Sequence, residues 1–176
     1  LPLLVSFGIL SEKTSQKKKE AKKIAPAGKE KSSYRLLIDR IQKAFPKAMI
    51  TGDHPDQVFC ALDPSSSINL AAGIYQAFHQ DGRIPPVIAV TDGEAFFHSG
   101  ISALVNAVYN RARFILLILD GMGRGEEIAR IVHGCGISQC EMVSSKNRAI
   151  LLKRMREALH GPGGKEEEIA AFILKA

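Results

Sequence analysis

The chain has 176 residues and a mass of 19.1 kDa. That is enough for one domain with a sizeable core and too little for two full ones. Hydrophobic residues make up 45% of it, which excludes global disorder. A net charge of +6 and a pI near 9.3 invite an anionic partner, but the charge is unevenly placed. Residues 1–33 carry eight Lys and three Glu, a net of +5, and residues 34–176 carry 16 basic and 15 acidic side chains, a net of +1. The basicity belongs to a tail, so neither nucleic acid nor a membrane surface is the expected partner of the domain.

The chain opens on the apolar run Leu1–Leu10, with no basic segment before it and no initiator Met. It reads as the remnant of a preceding segment rather than a signal peptide. No run reaches the ~18–20 apolar residues of a membrane-spanning helix. Residues 11–33 are Lys-rich, with Pro26 and Gly28 as breakers, and read as a basic flexible linker. Cys60, Cys135 and Cys140 are odd in number and lack metal-ligand spacing. They fit a reduced, cytoplasmic protein with buried or inert thiols.

The ordered domain is expected over 34–176. Tyr34, Leu37, Ile38, Ile41 and Phe45 recur at helical spacing up to Pro46. Ala48 to Gly52 reads as a short strand. Ser65, Ser66 and Ser67 precede an expected helix from Ile68 to about His79 and are its capping candidates. Asp81-Gly82 is a turn signal, and Pro86 to Val90 reads as a strand buried on both faces. A helix is expected from about Ser99 to Asn110, with Ile101, Leu104, Val105 and Val108 on one face. Phe114 to Leu119 is the strongest strand signal. Glu126 to His133 predicts a short helix, Gln139 to Val143 a strand, and Asn147 to His160 an amphipathic helix. Ile169 to Lys175 fits either a helix or a last strand.

Apolar strands alternating with helices predict a three-layer α/β fold with a mainly parallel sheet covered on both faces. Two strands end in acidic-glycine turns, Thr91-Asp92-Gly93 and Leu119-Asp120-Gly121, 28 residues apart. One strand–helix–strand unit separates them, so both carboxylates fall at the ligand-binding edge of the sheet. Oxygen donors there suit Mg²⁺ bridged to a phosphate, and glycines let backbone approach a diphosphate. The same Asp-Gly pairs also read as ordinary turns. Gly121-Met122-Gly123-Arg124-Gly125 opens a helix whose N-terminus offers a second way to hold a phosphate. Arg111 and Arg113 fall at the opposite edge.

The segment from Ala89 to Asp120, and above all Phe96-Phe97-His98-Ser99-Gly100-Ile101 followed by Leu104-Val-Asn-Ala-Val-Tyr-Asn110, resembles indolepyruvate ferredoxin oxidoreductase. The resemblance is to the thiamine-diphosphate-binding domain of the large subunit in that 2-oxoacid oxidoreductase family, with a degenerate cofactor motif. It extends more loosely over about residues 48–160. It implies a cofactor, thiamine diphosphate with Mg²⁺, whose site would include Asp92, Gly93, Glu94, His98, Gly121, Gly123, Ser65 and Ser66. The implied metal ligands are Asp92 and Asp120. His98 matches the family's histidine in the same run, where it would act near the cofactor, cap a helix or fill a polar pocket.

The chain departs from that pattern. One extra residue stands between Asp92 and the two Phe. The family's metal-binding Asn of Leu-Asp-Asn is Gly121 here. Its long loop with Thr-Ala-Met-Thr-Gly is replaced by Met122 to Gly125. Its Cys-Met-Gly turn is Asp63-Pro64-Ser65, and Asp63 sets a negative charge where a diphosphate would lie. No pyrimidine-binding domain or Cys-rich iron–sulfur run is present. The resemblance therefore implies partner chains that carry the pyrimidine domain and iron–sulfur clusters, in an oligomer. It leaves two readings: a thiamine-diphosphate-binding module of such an enzyme, inactive alone, or a degenerate relative that keeps the fold as a binding or scaffold module.

Overall fold

A computed structural model describes residues 33–52, 59–60, 66–82, 85–160 and 169–175. The expected linker, apart from Ser33, lies outside the described residues, and so do Asp63 and Ser65. Six strands form one parallel sheet: β1 (Met49–Gly52), β2 (Phe59–Cys60), β3 (Val87–Asp92), β4 (Ile115–Asp120), β5 (Cys140–Ser144) and β6 (Ala170–Lys175). Their order is β2-β1-β3-β4-β6-β5. The three-layer α/β expectation holds.

The inner strands β3, β4 and β6 are buried along almost their whole length, as continuous apolar runs in a parallel sheet should be. Side-chain alternation splits the core in two. Val87, Ala89, Leu116, Ile118, Ala171 and Ile173 face one side, with helix α2 (Ser66–Gln80), α4 (Ile101–Tyr109) and α5 (Gly125–Gly134). Ile88, Val90, Ile115, Leu117, Phe172 and Leu174 face the other, with α1 (Ser33–Ala44) and α6 (Arg148–His160). On that side Leu37, Ile38, Ile41 and Phe45 are buried at the expected helical spacing.

Four local results refine the sequence reading. Ile169 to Lys175 resolves as strand: Ala170–Lys175 inserts between β4 and β5, where five apolar residues and Lys175 pair with strands on both sides. The expected helix after β3 starts earlier than Ser99. It begins at once after Asp92, as α3 (Gly93–Ala95), continues through a π-helical turn (Phe96–Gly100) and runs on into α4. The two-residue strand β2 carried no sequence signal. Helix α2 starts at Ser66, two residues before the expected Ile68.

The alternation buries β4 side chains in both halves of the core. Leu117 is fully buried at the sheet centre, so Leu117→Ala should cost about 2–5 kcal/mol. Urea unfolding should show that loss with an unchanged m-value.

Candidate functional site

The carboxyl ends of β3 and β4 are adjacent, as the strand–helix–strand spacing requires. The register, however, pairs Asp92 with Leu119 rather than with Asp120. Paired residues in a parallel ladder share a face, and successive residues alternate. Asp120 therefore occupies a position on the α2/α4/α5 side, and Asp92 a position on the α1/α6 side. The two carboxylates share a sheet edge but do not share a face.

Each bonds nearby backbone instead, Asp92 at a helix start and Asp120 in the turn that leads into α5. Asp92 is exposed and extended, and its Oδ1 accepts from Ala95 N at 2.7 Å. That is an N-cap: it satisfies an orphan donor of the first turn and sets a negative charge at the positive end of the helix dipole. Asp120 is only 3% exposed, and its Oδ1 accepts from Arg124 N at 2.8 Å. Its Oδ2 is buried without a hydrogen-bond partner. A Cβ built on Gly125 would lie 2.9 Å from that oxygen and 3.0 Å from Lys175 Cε. Gly125 is therefore the residue that lets α5 begin against the buried carboxylate.

The turn after β4 is held down by its own side chains. The Arg124 guanidinium lies 4.1 Å from the Phe97 ring centroid and donates through Nε and Nη2 to both Glu127 oxygens, at 2.7 and 2.6 Å. Gly123 has φ +71, the left-handed conformation the turn needs. Met122 packs toward Gly93, where a Cβ would meet Met122 Cε at 3.3 Å and Ile128 Cδ1 at 3.6 Å. Gly121 is exposed and Gly93 is buried. Glu94 is exposed beside Asp92, and Glu126 and Glu127 stand in the first turn of α5.

These placements test the implied cofactor. Magnesium needs several oxygen ligands converging on one point. Here the carboxylates occupy opposite-face positions, Asp120 Oδ2 is out of solvent, and Gly121 offers no side-chain oxygen. No group of three or more His, Cys, Asp or Glu suited to a metal occurs among the described residues. A diphosphate at the start of α5 would meet Asp120, Glu126 and Glu127, while the nearby cation Arg124 is already engaged with Glu127. The residues present do not fit magnesium diphosphate. A phosphate at the expected Gly121 to Gly125 turn would meet the same acids.

His98 is exposed on the π turn, five residues past the helix start, so it caps nothing there. Ser66 begins α2, and a buried Thr51 on β1 ties to that helix by donating its Oγ1 to Ser67 O at 2.9 Å. Ile101 N donates to Phe96 O, an i→i+5 bond that closes the π turn. The sequence reading missed the Arg124–Phe97–Glu127 cluster. Its signal was present as Asp followed within five residues by a helix-opening Gly-Glu-Glu.

A cavity of about 530 Å³ opens at the other end of the sheet, lined in part by Phe45, Phe114, Arg113 and Arg156. In its wall, Pro85 adjoins residues 83–84 in sequence, and Leu159 and Ala170 lie two residues from 161–168; both stretches are outside the described residues.

Cys135 and Cys140 are half-buried free thiols. Burial pushes the Cys135 thiol up; burial and then the Glu141 carboxylate push Cys140 up. Folding thus favours the protonated thiols. That contribution is intact below the ordinary thiol range and is lost as pH rises through the raised folded values. At pH 8, iodoacetamide should alkylate both several-fold more slowly in the native protein than in urea. For the caps, Asp92→Ala should cost about 1 kcal/mol and Asp92→Asn less. Gly125→Ala should cost about 1–3 kcal/mol by crowding Asp120. Chemical denaturation of the three variants reads both.

No family model matches the chain. Curated relatives do. An indolepyruvate oxidoreductase subunit IorA from Archaeoglobus fulgidus is 35% identical over 98 residues, covering 44% of this chain and 16% of that protein. The protein of the same name from Methanothermobacter marburgensis is 32% identical over 133 residues, covering 64% of this chain and 20% of that protein. That from Pyrococcus abyssi is 39% identical over 57 residues, covering 32% of this chain and 9% of that protein. The matches to these proteins thus span at most a fifth of the relatives' own length, and over that stretch the chain is a relative of the indolepyruvate oxidoreductase IorA subunits.

Proposed function

We propose that this chain corresponds to the thiamine-diphosphate domain of an indolepyruvate-type 2-oxoacid oxidoreductase, kept as a non-catalytic binding or scaffold module. The observation that carries this reading is that both carboxylates at the sheet edge bond the backbone that follows them, Asp92 as a helix cap and Asp120 in the turn before α5. Asp92 serves Ala95 N, and Asp120 serves Arg124 N. Each carboxylate commits one oxygen to a backbone amide, and further acids stand in the first turns of the two helices.

Partner chains supplying a pyrimidine-binding domain and iron–sulfur clusters remain part of the proposal. In that setting the module contributes surface and shape to an assembly. Oxidative decarboxylation of a 2-oxoacid would be the work of other subunits. The second reading is a working cofactor-binding module. It is favoured by the retained run from Ala89 to Asp120 and by the exposure of Asp92.

Titration calorimetry separates the two. With thiamine diphosphate and excess Mg²⁺, the chain should give no saturable heat at micromolar concentrations. Micromolar binding that Asp92→Ala abolishes would establish the second reading instead.

A further inference from the structure

The cavity at the amino ends of β3, β4 and β6 lies across the sheet from Asp92 and Asp120. Its charged lining is of one sign: Lys47, Arg113 and Arg156 line it, and no Asp or Glu does. Among the described residues, none of these cations is held in an ion pair. The rest of the wall is apolar and includes the buried rings of Phe45 and Phe114. The net charge of +1 over residues 34–176 hides this cluster, because acids such as Glu94, Glu126 and Glu127 stand at the opposite edge.

Two of the cations are positioned by the fold. Arg113 Nη2 donates to Leu159 O at 3.3 Å. A guanidinium carries several N–H groups, so this bond leaves others for a ligand. The Arg156 guanidinium carbon lies 5.6 Å from the Phe45 ring centroid. Backbone acceptors of the wall are used within the fold. Pro86 O accepts from Met49 N at 2.8 Å, Phe45 O from Ala48 N at 3.0 Å and Phe114 O from Ala170 N at 3.2 Å. The cavity thus offers donors, positive charge and apolar surface.

We propose that this cavity binds a small organic acid, a carboxylate head on an apolar body. The chemistry of the wall selects the occupant. An ionised carboxylate only accepts hydrogen bonds, and the polar side chains of the wall only donate them. A cationic ligand would meet like charge from every charged side chain of the lining. A peptide segment would bury amide N–H groups where the neighbouring acceptors are already engaged, and each unmet donor is costly. A volume of about 530 Å³ is that of a small-molecule site. The site is separate from the edge that holds Asp92 and Asp120 and does not rest on the cofactor reading.

Titration of the full chain with octanoate, followed by amide NMR, tests it. Octanoate should bind saturably and shift the Phe45, Phe114 and Ala170 amides, leaving Ala95 and Arg124 unmoved. Arg113→Gln and Arg156→Gln should each weaken binding at least about fivefold, because each removes a charge-assisted contact. Their circular dichroism spectra should be unchanged. Arg130→Gln, at an exposed position of α5, should bind as the wild type does. Octanol keeps the apolar body without the charge and should bind at least about tenfold more weakly. Absence of saturable octanoate binding overturns the proposal. Equal binding of octanol does so too, as does binding that both Arg113→Gln and Arg156→Gln leave unchanged. Glu166, Glu167 and Glu168 precede β6 in sequence. If octanoate binds only after all three are replaced by Gln, the chain's own acids are the occupant and the proposal fails.

Discussion

The two-residue period of β3 and β4, together with their one-residue register, governs this molecule. Asp92 sits opposite Leu119, so Asp120 falls on the other face. From that offset follow two separate local roles: Asp92 caps the helix start after β3, and Asp120 fastens the turn between β4 and α5. Had the register paired the two aspartates, they would share a face and face each other across about 5 Å of ladder. The same sequence of strand, Asp, Gly and helix would then have offered two convergent oxygen ligands. As built, those atoms stabilise local structure.

The buried Asp120 illustrates the balance. Taking a carboxylate out of water is expensive. One oxygen is offset by the Arg124 amide and by the N-terminal end of α5. The other has no hydrogen-bond partner and lies close to Gly125, as does Lys175 Cε. Arg124, freed from any ligand role, lies across Phe97 and grips Glu127. That pair is exposed and adds little stability by itself. Its consequence is geometric, because it commits a cation beside the turn.

Much of this fold was legible beforehand. Phe114 to Leu119, Pro86 to Val90 and the helical spacing of Leu37, Ile38 and Ile41 announce buried strands and an amphipathic helix. The run from Phe96 to Ile101 carried the family likeness. Three features were not legible. Asp92-Gly93 reads as a turn, because the cap that makes it a helix start depends on where Ala95 N comes to lie. Ala170 to Lys175 is too short for its period to decide between helix and strand; two neighbouring strands decided it. The opposite-face placement of the aspartates depends on register between segments 28 residues apart, which no local pattern encodes.

The central claim is that Asp92 and Asp120 hold local backbone rather than a metal. Its most direct test is a Mn²⁺ titration, with thiamine diphosphate present, followed by amide NMR at Ala95 and Arg124. Mn²⁺ substitutes for Mg²⁺ at oxygen sites and broadens nearby resonances. The account predicts no selective broadening of either amide, and persistent slow exchange of both. Joint, saturable broadening of the two at stoichiometric Mn²⁺ would contradict it, because it would place one ion between the strands.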